Sequence, residues 1–246
     1  TARSLAGMIA ICGLPLGPHD SRLVDTAFAA YRGQGQRQAL LDSIASYEMY
    51  DARITMVGVW DTVGSLGVPS AWGGVDPLIY GFLDTSLHPD VQNAFHAVAI
   101  DERRREFPAT LWNSTTAPGQ TVEQVYFCGC HGDVGGGYAN DPASGTALSD
   151  VTLSWMVNRA CQLGLMTTPE LLARYPSPME ARYALDARHD SWNPLWFFPE
   201  SRGIDGSATL ANSVGVRCVE DESYRPRNLN LVGGVPGAGY SVARVI

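Results

Sequence analysis

Apolar residues recur at helical spacing through the first part of the chain. The opening run "TARSLAGMIAICGL" (1–14) is built of small and apolar residues spaced like a buried helix. Behind Ser21, the residues Leu23, Val24, Ala27, Phe28 and Tyr31 mark one face of an amphipathic helix, and "QRQALLDSIASYEMY" predicts another. The period then changes. "RITMVGVW" (53–60) and "EQVYFCGC" (123–130) are short apolar runs with β-branched residues, as expected of strands buried on both faces. Between them, "HPDVQNAFHAVAIDERR" places Val91, Ala94, Phe95 and Val98 at helical spacing and predicts a helix. A further helix is expected in "LSDVTLSWMVNRACQLGL", opened by Ser149 or Asp150 and closed by Gly164. Strand, helix, strand, helix predicts an α/β fold with a parallel sheet and flanking helices. Past Gly164 the pattern loosens into segments such as "SWNPLWFFPESRG". The expected organisation is therefore a sheet domain over 1–165 and a less regular appendage or cap over 166–246.

Composition narrows this picture. The 246 residues are 45% hydrophobic and 17% charged, enough for one large core. The net charge of -8 leaves no basic surplus to neutralise phosphates along a nucleic acid, which is excluded as a partner. No uninterrupted apolar run is long enough to span a bilayer, and the apolar start lacks the basic flank of a secretory signal. The expected location is the cytoplasm, or export without a signal peptide. Cys12, Cys128, Cys130, Cys161 and Cys218 are odd in number and read as reduced, buried thiols.

Chemistry in such sheets gathers beyond the carboxyl ends of the strands. Asp61 directly follows the first strand, with Thr62, Gly64 and Gly67 forming a turn behind it. His131 directly follows the second, with Asp133 two residues on and Gly135, Gly136 and Gly137 after that. A carboxylate and a later histidine in this order are the relay half of a nucleophile, base and orienter triad, and their hydrogen bond is the geometry the assignment requires. Cys128, Cys130, His131 and Asp133 do not follow the spacing of a zinc site. "GDVGGGY" lacks the Lys-Ser/Thr of a phosphate loop. His96 reads as a packed helix residue, and 101–105 ("DERRR") as ion pairs at a helix end. Trp192, Trp196, Phe197 and Phe198 read as core packing, with a lipid-facing lip as the alternative.

In chain order, "TARSLAGMI", "VGVWDTVGSLG", "FHAVAIDERRREFPATLW", "FCGCHGDVGGGY" and "LSDVTLSWMV", with a thinner echo at "SVGVRCVEDESYRPRNL", resemble the α/β-hydrolase domain family that includes the type VI secretion phospholipase effectors. The resemblance implies that 1–165 is the carboxyl-terminal portion of an α/β-hydrolase sheet. It implies Asp61 and His131 as catalytic residues, with a serine in a G-F-S-R-G-A-F elbow about five positions ahead of Thr1 as nucleophile. Ser4 has no flanking glycines and makes no elbow. The implied activity is hydrolysis of a lipid ester, of phospholipase A type, needing neither cofactor nor metal. The implied partners are an ester or lipid substrate and a membrane surface. Either a preceding segment or a second copy is expected to cover the open sheet edge. The alternative is an inactive hydrolase scaffold that serves as a binding module.

Overall fold

The first stretch with helical periodicity forms helix α1, Ala2–Cys12, followed by α2, Ser21–Tyr31, and α3, Arg37–Ile44. The computed structural model describes residues 2–16, 21–33, 37–45, 47–50, 52–63, 87–113, 117–196 and 198–246. Cys12, Leu23, Ala27, Ala30 and Ile44 are buried together where the three helices meet, with Met8, Ile11, Leu40 and Leu41 packed against them. Gly7 permits the closeness of α1 and α2, because a Cβ there would lie 2.7 Å from Cε2 of Tyr31. Arg37 closes α2 by donating to the carbonyls of Ala30 (3.0 Å) and Tyr31 (3.1 Å) in its last turn, where Ala30 O also accepts the Gly33 N–H at 3.1 Å. A short antiparallel ladder joins Leu14–Pro15 to Met49–Tyr50.

Five strands form one sheet in chain order: β1 (Ile54–Trp60), β2 (Val91–Ala99), β3 (Thr121–Phe127), β4 (Thr209–Ala211) and β5 (Ser241–Ala243). The sheet is parallel, with Val125 opposite Thr209 and Leu210 opposite Val242. Four helices accompany its later strands: α4 (His131–Gly135), α5 (Leu148–Gln162), α6 (Pro169–Arg174) and α7 (Asn212–Glu220). The described residues fall into two compact units. One lies within Thr1–Gly58, Leu78–Ala94 and Trp112–Val122, the other within Val59–Pro77, Phe95–Leu111 and Glu123–Ile246.

One expectation is corrected. Residues 91–99, expected as a helix, are strand β2, and 101–105 accordingly follow a strand end rather than a helix end. Ala94, Phe95, His96, Ala97, Val98 and Ala99 are all buried in succession, which an amphipathic helix face would not produce. A short apolar run satisfies both periods, and neighbours on both edges of β2 decide for the strand. Strands β4 and β5 come from beyond residue 165.

Helix α5 begins at Leu148, with Asp150 in its first turn accepting the Ala147 N–H at 3.1 Å. It ends where Gly164, at φ +96°, turns the chain away. Its Trp155 meets Phe95 edge-on at 6.0 Å and Phe127 at 5.6 Å, forming the aromatic centre of the larger unit. Phe127→Ala should cost about 3–5 kcal/mol through lost burial and the cavity left behind. Urea unfolding checks this, and a loss below about 1 kcal/mol would place the core elsewhere.

Candidate active site

Strand β1 delivers Asp61 into the larger unit at the end of its run. The Asp61 N–H donates to Ala97 O at 2.7 Å, extending the β1–β2 pairing by one residue. Its φ of +40° then bends the chain sharply, a conformation Asp tolerates better than most residues, and one that turns its side chain out of the strand's alternation. Thr62 follows with its N–H donating to Nε2 of the fully buried His96 at 3.1 Å, and Thr110 N–H donates to Thr62 O at 2.7 Å. The packing histidine of the sequence thus sits in β2 and pins the turn behind Asp61. Gly64 and Gly67 lie outside the described residues.

Strand β3 delivers His131 in a comparable way, as the first residue of α4. Gly129, at φ +104°, has no room for a side chain: a Cβ would lie 2.4 Å from Cβ of Asp133. Asp133 folds back over it, accepting the Cys130 N–H at 3.0 Å and the His189 N–H at 3.0 Å, and meeting His189 Nδ1 at 2.6 Å. Tyr138 stacks on the His189 ring at 3.8 Å. The His131 N–H itself donates to Oε2 of Glu102 at 3.2 Å. Glu102 is buried and also accepts from Ser191 Oγ (2.9 Å) and the guanidinium of Arg104 (2.9 and 3.0 Å). Burial pushes its carboxyl up, but Arg104 and the hydrogen bonds outweigh this and hold it below the usual range.

The two strand ends meet. Asp61 Oδ2 lies 2.7 Å from Nδ1 of His131, with the carboxylate fully buried and the imidazole about one-third exposed at 34%. With Nδ1 engaged, Nε2 is the nitrogen left for chemistry, and the described residues put no hydrogen bond on it. Phe107 sets its ring edge-on to the imidazole at 5.5 Å. Arg104 lies over that phenyl at 3.6 Å, and Trp196 meets it edge-on at 5.5 Å. Trp192 lies beneath Arg103, so both tryptophans pack against arginines, while Phe198 is exposed and Phe197 lies outside the described residues.

The residue that sequence reasoning missed is Arg202. Its Nη2 donates to Asp61 Oδ2 at 2.9 Å and its Nη1 to Oδ1, a bidentate pair, while the same nitrogens reach Ala99 O (2.9 Å) and Phe107 O (2.6 Å). The Ala99 N–H completes the carboxylate's shell at 2.8 Å. Burial alone pushes the Asp61 carboxyl up. Hydrogen bonds from His131, Arg202 and Ala99, with the Arg202 charge, overcome it and hold the group at about 2. No local pattern marks "ESRG" as part of a site 141 residues from its partner. Of the other sequence candidates, Ser4 lies within α1. Among the described residues, no group of three or more His, Cys, Asp or Glu side chains could hold a metal ion, and burial pushes the Cys128 thiol up to about 12.

The folded pKa of Asp61 lies below its unfolded value, so its contribution to stability is complete above about pH 4 and is lost as pH falls towards about 2, an effect of about 2 kcal/mol. Asp61→Asn should remove that share of the acid sensitivity, as read from urea unfolding across this range; an unchanged pH slope would contradict it. Arg202→Met should destabilise the fold by about 3–5 kcal/mol by leaving a buried carboxylate uncompensated. The double variant with Asp61→Asn should recover part of the loss in the same measurement.

No curated protein and no solved structure gives a significant match. The family model described as "T6SS, Phospholipase effector Tle1-like, catalytic domain" matches residues 1–159, well over half of the chain. The chain therefore belongs to this family of lipid-hydrolysing effector domains.

Proposed function

We propose that the domain is a serine-type hydrolase of phospholipid acyl esters in which Asp61 and His131 form the relay. The observation that carries this reading is the 2.7 Å contact between Asp61 Oδ2 and His131 Nδ1, with the other imidazole nitrogen left available. In the first half-reaction His131 Nε2 takes the proton of the serine hydroxyl as its oxygen attacks the ester carbonyl. The imidazolium then protonates the departing lysolipid alcohol. Water repeats the sequence on the acyl-enzyme and releases the fatty acid. Asp61 stays ionised throughout, fixes the imidazole tautomer and stabilises the imidazolium. Its depressed pKa supports that role.

Arg202 acts in this reading as a positioning residue. It cannot reach a substrate through Asp61, but its fork locks both carboxylate oxygens, so that Oδ2 stays aimed at His131. A cavity of about 220 Å³ adjoins the histidine through Phe107, with Pro108, Ala109 and Leu111 on its walls together with Arg104, Arg105 and Glu200. The nucleophile in this reading is the elbow serine that the resemblance places ahead of Thr1.

Release of fatty acid from phospholipid vesicles, measured with protein carrying that serine, tests the proposal. His131→Ala should lower kcat/KM by on the order of a thousandfold or more, as loss of a triad member does. A fall of less than about tenfold would sink the assignment.

A further inference from the structure

Beyond the end of β2, the larger unit opens a second cavity of about 460 Å³. Its walls carry Arg103, Arg188, Arg225 and Arg227, a concentration of positive charge in a chain whose net charge is -8. The two acids that share these walls have hydrogen-bond partners of their own, although the charge of Asp101, like that of Asp221 nearby, also acts on Arg188. Glu102 is paired with Arg104, and Asp101 Oδ2 accepts from Gly129 N–H at 2.7 Å and from Tyr224 OH at 3.1 Å. Arg103 is paired with Asp190. Arg225 is fixed in place, its Nη1 donating to the carbonyls of Cys218 (3.0 Å), Asp221 (3.2 Å) and Tyr224 (2.8 Å). Arg188 rests over the Tyr224 ring, and among the described residues neither it nor Arg227 donates a hydrogen bond to the protein. The cavity therefore presents one anchored guanidinium and two whose donors are uncommitted.

Three residues of "YRPRN" (224–228) matter here: buried Tyr224 holds the floor, and Arg225 and Arg227, two apart, line the wall on either side of Pro226. Guanidinium forks match the oxygens of phosphate better than any other side chain does, and several together on polar walls favour an anion over an apolar ligand. We propose that this cavity binds a phosphate-bearing anion through Arg188, Arg225 and Arg227. The source we assign is the phosphodiester of the lipid head group, and this assignment rests on the phospholipase reading above. Glu102 ties the two places together, because it lines the cavity and also receives the His131 N–H. A head group held there would lie beside the side chain that fixes the start of α4.

Calorimetric titration of the 246-residue chain tests this without any turnover, so that its failure is distinct from failure of the hydrolase reading. The probes are inorganic phosphate and dihexanoyl phosphatidylglycerol below its micellar concentration. Saturable binding is expected, with affinity at least about tenfold weaker in Arg188→Gln/Arg227→Gln and largely kept in Arg188→Lys/Arg227→Lys. Both exchanged side chains are exposed and make no hydrogen bond to the described residues, and circular dichroism checks that the variants fold. Tighter binding of the lipid than of phosphate supports the head group as the source. Binding of phosphate alone supports the anion site and assigns it to free phosphate. No saturable binding by either probe, or equal affinity in the glutamine variant, overturns the proposal.

Discussion

A buried negative charge organises the larger unit. Asp61 is removed from water entirely, and a lone carboxylate there would be costly enough to be protonated or to unfold the region. Arg202 makes its ionised state tolerable by matching both oxygens, and in doing so gathers the carbonyls of Ala99 and Phe107 around one guanidinium. The end of β2, the segment behind it and the chain near residue 202 are thereby drawn to a single point. His131 meets what remains of the carboxylate's hydrogen-bonding capacity. The orientation of the imidazole is thus a by-product of solving an electrostatic problem, and the arginine that neutralises the carboxylate also stops it from turning away.

A second buried acid does similar work one layer out. Glu102 receives the backbone of His131, the hydroxyl of Ser191 and the guanidinium of Arg104, and Arg104 in turn covers Phe107, which touches the imidazole. Asp133 does the same for the turn before α4, where the absence of a side chain at Gly129 is what lets the carboxylate close over the backbone. The histidine is therefore held through its ring, its main chain and its neighbouring turn by three separate acids. Such redundancy fits the proton-transfer role proposed for this imidazole, which requires its position to be kept within a fraction of an ångström.

The sequence carried the parts of this arrangement that depend on local chemistry. Asp61 and His131 were legible because each directly follows an apolar run, and strand ends in parallel sheets are where polar side chains can converge. The helices at 2–12, 21–31 and 148–162 were legible from periodicity, the second and third from end signals as well. Strand β2 was not, since Val91, Ala94, Phe95 and Val98 fit a helical face as well as a strand buried on both sides, and only pairing on both edges separates the two. Arg202 was invisible for a related reason. Nothing near it in the chain differs from an ordinary solvated arginine, and its meaning comes wholly from a partner far away in sequence. The same holds for β4 and β5, three residues each, too short to carry a period of their own.

The spacing of the Asp61 shell along the chain has a consequence for how the domain comes into being. Asp61 and His131 are separated by 70 residues, and Asp61 and Arg202 by 141. A ribosome emits the acid first, the base next and the compensating cation last. Until the stretch around residue 202 has emerged, the pocket around Asp61 cannot close over an ionised carboxylate, and the loops to be joined are long ones whose ordering comes late in folding. The Asp61–His131 contact is therefore clamped by a stretch made after both residues, and a translation product truncated between residues 131 and 202 would carry the acid and the histidine without the arginine that aligns them.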